Sequence, residues 1–448
     1  MVRRADFGEE FTWGVATAAY QIEGYPEADG KGESIWDEFT HRVDAKGQTP
    51  IEDGSTGDVA TESYVRYPED LDLVGAMNFD AYRFSLSWPR IQPDGRGRVN
   101  PAGVAHYRRM LEACHERGIE PWVTIYHWDL PQALSTDGGW TNRETPFRFA
   151  EFCALVAEEL GDLVPHWMVL NEPMSFTTLG YLMGAHAPGE KGLGNFLAAA
   201  HHANLALAHG ARAVRAARPD ADVGTTNYLT DAIGVGPGPL AARAKRAADA
   251  MINKLFLEPA MGLGYPTDDA PILKRISKYV VGDDMDQLAV DLDFMGVQYY
   301  TQLKARWLPI PGMWTVPTFG SDDSLERTSM GWEVRPVGLG KVLDMVHSYG
   351  HYDRIVISEG GASFADELVN GRVHDPRRIA YYESHLREVA NAMERGVPIE
   401  GYFAWSLLDN FEWAAGYMPR FGLVYVDYPT QQRTIKDSGT WFAQLLDG

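Results

Sequence analysis

Two carboxylates stand out because each ends a short apolar segment. Glu172 ends HWMVLNE (166–172), and Glu359 lies at the end of IVISEG (355–360), where glycines let another molecule approach the backbone closely. Two carboxyl groups that face each other across a cleft can hydrolyse a glycosidic bond: one, protonated, donates to the leaving oxygen and the other, ionised, attacks the anomeric carbon. The residue types alone also allow a plainer interpretation, in which both are strand-end carboxylates that cap nearby helices.

The sequence around Glu172 favours the acid role for this residue. It follows Asn171, precedes Pro173 and ends a mostly apolar segment. Burial in such surroundings raises the pKa of a carboxyl group, and different surroundings separate the pKa values of two carboxyls. We therefore expect Glu172 to carry the proton and Glu359 to be ionised.

The elements that would position these residues are strands that alternate with helices. Helical periodicity is clearest at 100–118, 145–162 and 375–396: the first and third start at Asn or Asp before Pro and stop at Gly, and the second has an apolar stripe and an acidic outer face. This alternation predicts an α/β fold: a single-domain (β/α)8 TIM barrel over residues 1–448, with its active site at the C-terminal ends of the strands. Eight β-like segments carry the prediction: 11–21, 81–88, 121–128, 166–172, 222–229, 294–301, 355–360 and 401–409.

The ends of these segments are rich in amides and aromatic rings and have no cluster of Lys or Arg. They include Gln21, Trp88, His127, Trp128, Asn171, Glu172, Asn227, Tyr228, Gln298, Tyr300, Glu359 and Trp405. Residues 302–330, rich in Pro and Trp, follow the sixth segment, and we expect them to cover the mouth of the barrel.

Composition argues against several other classes of protein. The 448 residues carry a net charge of -22, which disfavours binding to nucleic acid or to an anionic membrane. The N-terminus lacks an apolar segment of the secretory type, and no apolar run approaches the length of a membrane span. Cys114 and Cys153 have no metal-ligand spacing, so we expect both to be reduced and buried in helices of a cytoplasmic protein, although a secreted form made from a longer precursor stays open.

A metal site is not expected from the histidines either. His201 and His202 are adjacent in a predicted helix and cannot share one of its faces.

Beyond this chemistry, the sequence resembles a known family. VLNEP (169–173) and ISEGG (357–361) resemble the acid/base and nucleophile motifs of family-one glycoside hydrolases, the β-glucosidase family. The resemblance covers nearly the whole chain. It continues, in the family's order, through FTWGVATAAYQIEG, YRFSLSWPRI, YHWDLP, HAPG, MGWE, WSLLDNFEW, RFGLVYVDY and RTIKDS.

The resemblance implies a retaining exo-β-glycosidase, most simply a β-glucosidase, that forms a covalent intermediate on Glu359 with Glu172 as acid/base. It implies a small β-glycoside as the partner and neither cofactor nor metal. Arg83 would keep the nucleophile ionised, and Trp332 would form a platform for the leaving group. The implied sugar-binding residues are Gln21, His127, Asn171, Gln298, Tyr300, Trp332, Trp405, Glu412, Trp413 and Phe421. Trp128 we expect to be a core residue.

Two departures from the family pattern bear on its chemistry. Gly360 stands where the family usually has Asn, and Gln298 stands where it has the Asn of an NYY motif. Both affect the surroundings of Glu359 and its efficiency on simple glucosides. A transglycosidase or a tailoring enzyme for natural-product glycosides is therefore an alternative, and a non-catalytic sugar-binding protein is another.

A phospho-glycosidase is a further alternative. The segment DNFEWAAGYMPRFG (409–422) argues against it, because it offers Glu412 and Trp413 and has no serine or lysine. The choice between glucose, galactose and fucose, like the oligomeric state, stays open at this point.

Overall fold

The chain forms a closed barrel of eight parallel strands in a computed structural model that describes residues 2–309, 316–318 and 324–447. Strands that follow each other in the sequence are neighbours in the barrel, and the last strand pairs with the first, Gly401 lying opposite Thr12. This arrangement confirms the predicted (β/α)8 fold. The strands are β1 Thr12–Ala16, β2 Ala81–Ser85, β3 Glu120–Tyr126, β4 His166–Asn171, β5 Asp222–Tyr228, β6 Phe294–Gln298, β7 Ile355–Gly360 and β8 Ile399–Trp405.

A major helix follows each strand. The predicted helices at 100–118, 145–162 and 375–396 are present as α2, α3 and α7, and Asn100 caps α2 by accepting the N–H of Ala102. The eight helices are α1 Ser63–Ala76, α2 Pro101–Glu116, α3 Thr145–Leu160, α4 Leu193–Ala217, α5 Gly238–Asp249, α6 Pro336–Ser348, α7 Pro376–Glu394 and α8 Asp437–Leu446.

Shorter elements fill the connections. A small sheet joins Ala232–Val235, Leu303–Arg306 and Val316–Thr318, and two hairpins pair Leu368–Val369 with Arg372–Val373 and Val424–Asp427 with Gln432–Ile435. The short α-helices are Ala19–Ile22, Ile35–His41, Trp88–Ile91, Gln132–Thr136, Pro173–Thr177, Leu255–Ala260 and Asp284–Gln287, and the π-helical turns are Thr178–Met183 and Ala250–Lys254. Of the segment expected to cover the mouth, residues 310–315 and 319–323 lie outside the described residues.

Side chains fill the centre of the barrel below its mouth. Trp122, Met168, Phe294, Val356 and Phe403 belong to one buried cluster. Glycine makes room for the largest of them: a Cβ on Gly14 would lie 2.2 Å from the ring of Phe403. Since this core blocks the interior, a substrate site has to lie above it, at the C-terminal ends of the strands.

The cysteines occupy the helices predicted for them. Cys114 in α2 and Cys153 in α3 are buried and form no disulfide. Within the residues that the structure describes, no helix has both the length and the apolar character needed to cross a bilayer.

Candidate active site

A cavity of about 600 Å³ opens at the C-terminal ends of the strands and contains both predicted carboxyl groups. Glu172 follows β4 directly, and Glu359 is the next-to-last residue of β7. Three predicted residues, Gln21, Arg83 and Gln298, lie behind the cavity wall and contact residues that line it. The predicted residues that line the cavity are His127, Asn171, Glu172, Tyr300, Trp332, Glu359, Trp405, Glu412, Trp413 and Phe421.

Glu359 has partners that stabilise negative charge, although burial raises its pKa. Arg83, buried in β2, donates to Oε1, and the Tyr300 hydroxyl donates to Oε2 over 2.7 Å. Burial raises the pKa of Glu359, but the charge of Arg83 and the hydrogen bond from Tyr300 act against that shift. Glu359 is therefore the carboxyl of the site that has a cation and a hydroxyl to stabilise negative charge.

Glu172 has the opposite surroundings. Burial, with the negative charge of Glu359 as a second cause, raises the pKa of Glu172 to about 8, although a hydrogen bond with Ser175 opposes the shift. At neutral pH this carboxyl group holds a proton that it can donate. The raised pKa agrees with the direction expected from the apolar sequence before Glu172.

Asn171 of β4 connects polar side chains of β2 and β6 with His127, the residue after β3. Its Oδ1 accepts from Arg83 Nη2 over 2.6 Å and from Gln298 Nε2 over 2.9 Å. Its Nδ2 is consequently the donor end of the amide and lies 3.0 Å from His127 Nε2. The second hydrogen of Nδ2 is available to a ligand in the cavity.

The same contact assigns the tautomer of His127. Because Nε2 faces the donor Nδ2 of Asn171, the ring proton belongs on Nδ1. Burial and the charge of Arg83 hold the pKa of His127 well below its usual range, so the ring is neutral. Among the described residues Nδ1 has no hydrogen-bond partner, as is expected of a buried donor that a ligand satisfies.

The loop after β8 supplies the other end of the cavity. Gln21 Nε2 donates to Asn410 Oδ1 and the Phe411 carbonyl, each over 3.0 Å, and lies 3.3 Å from Glu412 Oε2. Burial and the charge of Glu359 raise the pKa of Glu412 to about 8. Glu412 is therefore a neutral carboxyl at pH 7, able both to donate to and to accept from hydroxyl groups.

Aromatic rings surround these polar groups. Trp413 packs on Trp128 with ring centroids 4.6 Å apart and lies parallel to His127, which also lies parallel to Trp405. Trp128 is buried, as expected, but it also lines the cavity, and its Nε1 donates to the Asn171 carbonyl over 2.9 Å. The expectation of a purely core residue was therefore incomplete for Trp128.

The sugar-binding residues expected from the sequence do not include further lining residues, among them Glu52, Ser175 and Tyr228. Tyr228 ends β5 and was among the strand-end residues noted in the sequence, but it was not assigned to sugar binding. Ser175 lies one turn after Glu172, which was a weaker signal. Glu52 belongs to a loop without periodicity, and nothing in its sequence indicates the cavity.

The adjacent histidines of α4 have structural partners. His201 lies 2.8 Å from the Tyr265 hydroxyl and 3.1 Å from Asp284 Oδ2, and His202 lies 2.8 Å from the Trp140 carbonyl. In the described part of the chain, no group of three or more His, Cys, Asp or Glu side chains is arranged to hold a metal ion.

An eight-stranded parallel barrel whose cavity contains Glu172 and Glu359, with the cation Arg83 beside Glu359, is the arrangement expected of a glycoside hydrolase. The chain belongs to glycosyl hydrolase family 1, whose sequence profile matches residues 3–448.

Relatives of the same length support this assignment. Beta-glucosidase A of Thermotoga maritima is 42% identical over 98% of this chain and 97% of its own length, and a beta-glucosidase of an Agrobacterium species is 40% identical over 99% and 96%. The solved structure of the family 1 β-glucosidase from Thermotoga maritima matches with a TM-score of 0.92 at 41% identity and covers 98% of both chains.

Proposed function

We propose that this protein is a retaining exo-β-glycosidase, in particular a β-glucosidase, with Glu359 as nucleophile and Glu172 as acid/base. The observation that carries the proposal is the difference between the two carboxyls. Glu359 is held by Arg83 and Tyr300, whereas Glu172 is protonated at neutral pH. Both line the same cavity.

In the first step, a carboxylate oxygen of Glu359 forms a bond to the anomeric carbon while the glycosidic C–O bond breaks. Glu172 gives its proton to the leaving oxygen, so the leaving group departs as a neutral alcohol. In the second step, Glu172 takes a proton from water, the water oxygen attacks the anomeric carbon, and the ester bond to Glu359 breaks. Two displacements at one carbon retain the β configuration.

Asn171, His127 and Glu412 would bind the hydroxyls of the terminal sugar. Asn171 offers an N–H in the cavity that contains both carboxyls, which suits the 2-hydroxyl, and His127 offers its Nδ1 proton. The names of the relatives support glucose as the sugar, since they are called beta-glucosidases, and one related structure was solved in complex with glucoimidazole.

The cavity suits a sugar without a 6-phosphate. Among its described lining residues there is no Lys or Arg. A phosphate would need such cations or several backbone N–H donors. Arg420, the nearest candidate in the sequence, is bound to Asp409 over 2.6 Å and packs on the rings of Tyr425 and Tyr428.

Labelling and substrate screening test the proposal together. A 2-fluoro-2-deoxyglucosyl fluoride should form a stable ester on Glu359, identified by peptide mass spectrometry, and Glu359→Ala should lower kcat by about 10⁴-fold. In a screen of aryl β-glycosides, the glucoside should have a higher kcat/KM than the galactoside, the fucoside and the glucoside 6-phosphate.

Two results would contradict the proposal. A label on another carboxyl would overturn the assignment of the nucleophile, and a higher kcat/KM for the phosphorylated sugar would overturn the assignment of the substrate.

Azide distinguishes retention from inversion. Glu172→Ala should keep the turnover of activated aryl glucosides and lose the turnover of glucosides with poor leaving groups. Added azide should restore the turnover of the variant and give the β-glucosyl azide as product. An α-azide product would show inversion or exchanged roles. Glucose transfer to an added alcohol in preference to water would favour the transglycosidase, and the absence of turnover and label would favour a sugar-binding protein.

We also propose that the enzyme works in the cytoplasm on a small β-glycoside. The two buried, unpaired thiols of Cys114 and Cys153 support a reducing compartment. Cell fractionation with a tagged chain tests this location.

A further inference from the structure

The outer half of the cavity, between the carboxyls and the mouth, has an apolar wall from the segment after β4. Met174, Leu179 and Leu182 line the cavity along Pro173–Thr177 and the π-helical turn that continues it. Each is only partly buried, so its side chain retains surface that a ligand can cover.

A second apolar wall comes from the segments after β5 and β6. Met251 and Ile252 lie in the π-helical turn that continues α5, and Leu303 begins the neighbouring strand Leu303–Arg306. All three line the cavity and are partly buried. Methionine and leucine side chains adapt to irregular apolar shapes, so these walls can accommodate a bulky group.

Aromatic side chains complete the enclosure. The ring of Trp332 lies 5.4 Å from that of Tyr300 and 6.1 Å from that of Phe421, and Met330 lines the cavity beside it. Trp332 is partly exposed to the cavity, so it presents a flat apolar surface next to the reacting carboxyls.

Some polar groups of this part of the cavity are committed to the protein itself, whereas His186 Nδ1 and Gln302 Oε1 have no hydrogen-bond partner among the described residues. The Thr301 hydroxyl donates to the Glu333 carbonyl over 3.0 Å, and Gln302 Nε2 donates to the Glu333 carboxylate over 2.6 Å. The Thr178 hydroxyl lies 3.6 Å from the sulfur of Met174. Two unpartnered atoms can bind at most a few hydroxyls, so a second sugar ring placed against the methionine and leucine side chains would still bury other hydroxyls against carbon, and each unpartnered hydroxyl weakens binding.

We propose that the natural leaving group is a large apolar alcohol or phenol and not a second sugar. The proposal rests on the proposed function and names its substrate class. The hydroxyl oxygen of the leaving group takes the proton of Glu172 as the bond to the anomeric carbon breaks, and its carbon body lies between the two apolar walls and Trp332. Binding energy from that body raises kcat/KM through the first step.

The test varies apolar size at constant leaving-group chemistry. Methyl, butyl and hexyl β-glucosides release alcohols of similar acidity, so differences in kcat/KM report contacts with the alkyl chain. Each buried methylene contributes up to about fourfold to kcat/KM. We therefore expect kcat/KM for hexyl β-glucoside to exceed that for methyl β-glucoside at least tenfold, and also to exceed that for cellobiose. The hexyl glucoside is measured below the concentration at which it forms micelles. A smaller hexyl-to-methyl ratio, or a higher kcat/KM for cellobiose, would overturn the proposal.

Substitutions in the two apolar walls test whether the alkyl chain binds between them. Leu182→Gln should lower the hexyl-to-methyl ratio at least threefold, and Met251→Gln serves the same purpose from the second wall if Leu182→Gln does not fold by circular dichroism. The matched control is Leu263→Gln, at an exposed leucine outside the cavity, which should keep the wild-type ratio. Wild-type ratios in both wall variants would overturn the location of the subsite.

The same measurements separate this inference from the proposed function. If the protein is not a β-glucosidase, neither alkyl glucosides nor cellobiose are hydrolysed and the fluoroglucoside leaves no label. If only the inference fails, the label forms and cellobiose is hydrolysed, but the alkyl series shows no rise.

Discussion

Three residues of the cavity have backbone conformations that side chains with a Cβ rarely adopt. The φ angles are +45° at Glu172, +80° at Trp128 and +52° at Trp413. Left-handed backbone costs roughly 1–2 kcal/mol per residue outside glycine. Such strain persists where the surrounding structure fixes it, which is common at functional sites. Here it turns the carboxyl of Glu172 into the cavity directly after β4 ends.

The protonation of Glu172 should limit activity at high pH. Since its pKa is about 8 and the acid must carry a proton, kcat/KM for a glucoside with a poor leaving group should fall tenfold per pH unit above pH about 8. The pH profile of Glu172→Ala, measured with a dinitrophenyl glucoside that needs no acid, should lose this decline.

Glu412 is the other carboxyl of the cavity that could cause a decline of activity at high pH. Its pKa is also raised to about 8, so it titrates in the same range. A decline that persists in Glu172→Ala would assign the titration to Glu412 or to another group.

Gln298 holds the carbonyl end of the Asn171 amide from a fully buried position. The shorter side chain of Gln298→Asn should lose this 2.9 Å contact and leave a buried acceptor short of one donor. We expect kcat/KM on an aryl β-glucoside to fall about fivefold, equivalent to about 1 kcal/mol. Gln298→Met, which keeps length without the donor, should fall similarly. A rate above wild type in Gln298→Asn would show instead that glutamine displaces the contacts around Glu359.

At the scale of elements, the opposite end of the barrel is held by charged side chains from neighbouring strands. His166 of β4 has its Nε2 3.0 Å from Glu120 of β3 and its Nδ1 3.1 Å from Asp222 of β5, and its ring stacks on Trp122 at 4.0 Å. Arg354, just before β7, donates to Asp222 over 2.8 Å and to Glu400 of β8.

The charge on His166 should make this end of the barrel sensitive to pH. Burial disfavours the charged ring, but Asp222 and Glu120 outweigh burial and raise the pKa of His166. A raised pKa means that the stabilisation is complete below the unfolded value of about 6.5 and is lost as pH rises through the folded value. Asp222, with a pKa of about 2, stays ionised throughout.

Urea unfolding of His166→Gln tests this contribution. The difference in free energy of unfolding from wild type should be about 1 kcal/mol larger at pH 6 than at pH 9, a modest value because Glu120 is half exposed and screened by solvent. A difference that is constant across this range would show that the ring stays neutral and only packs on Trp122.

At the scale of the whole molecule, the sequence predicted the barrel because each strand is a β-branched or aromatic run bounded by helical periodicity. Strand bounds differ by only a few residues at most ends; β8 begins at Ile399, two residues before the predicted segment. The site was predictable where its residues end strands, as at Asn171 and Glu359, or where motifs resemble the family, as at Glu412. The apolar walls were not, because residues such as Leu182 and Met251 have the same pattern as core residues of a helix.

A buried cluster of charges near the C-terminus joins the last two strand–helix units. Lys436, just before α8, donates to Asp366 and to Asp409, each over 2.6 Å, and Arg378 of α7 donates to Asp366 over 2.7 Å. All four side chains are at most 2% exposed. No periodicity in the sequence signals such a cluster, because its members are spread over 70 residues and meet only in the folded barrel.

Removal of the central cation should destabilise the whole fold. Lys436→Met leaves two buried carboxylates short of a partner, and we expect the free energy of unfolding in urea to decrease by about 3–5 kcal/mol. The matched control Lys245→Met, at an exposed position of α5, should change it by less than about 0.5 kcal/mol. A loss below about 1 kcal/mol in Lys436→Met would show that the aspartates are neutralised or hydrated without lysine.

Because side chains fill the centre of the barrel, a substrate and its products can enter and leave only through the mouth, and this fixes the order in which the products leave. Trp122, Phe294 and Phe403 block passage through the interior, so in the proposed reaction the sugar would occupy the innermost place and the leaving alcohol would lie between it and solvent. The alcohol must depart before water can reach the sugar ester, and the sugar must depart last. Any alcohol that arrives in this interval meets the ester from the same side as water. Water and alcohol therefore compete for the space that the leaving group has left. The fraction of time that an alcohol occupies this space sets the ratio of transfer to hydrolysis.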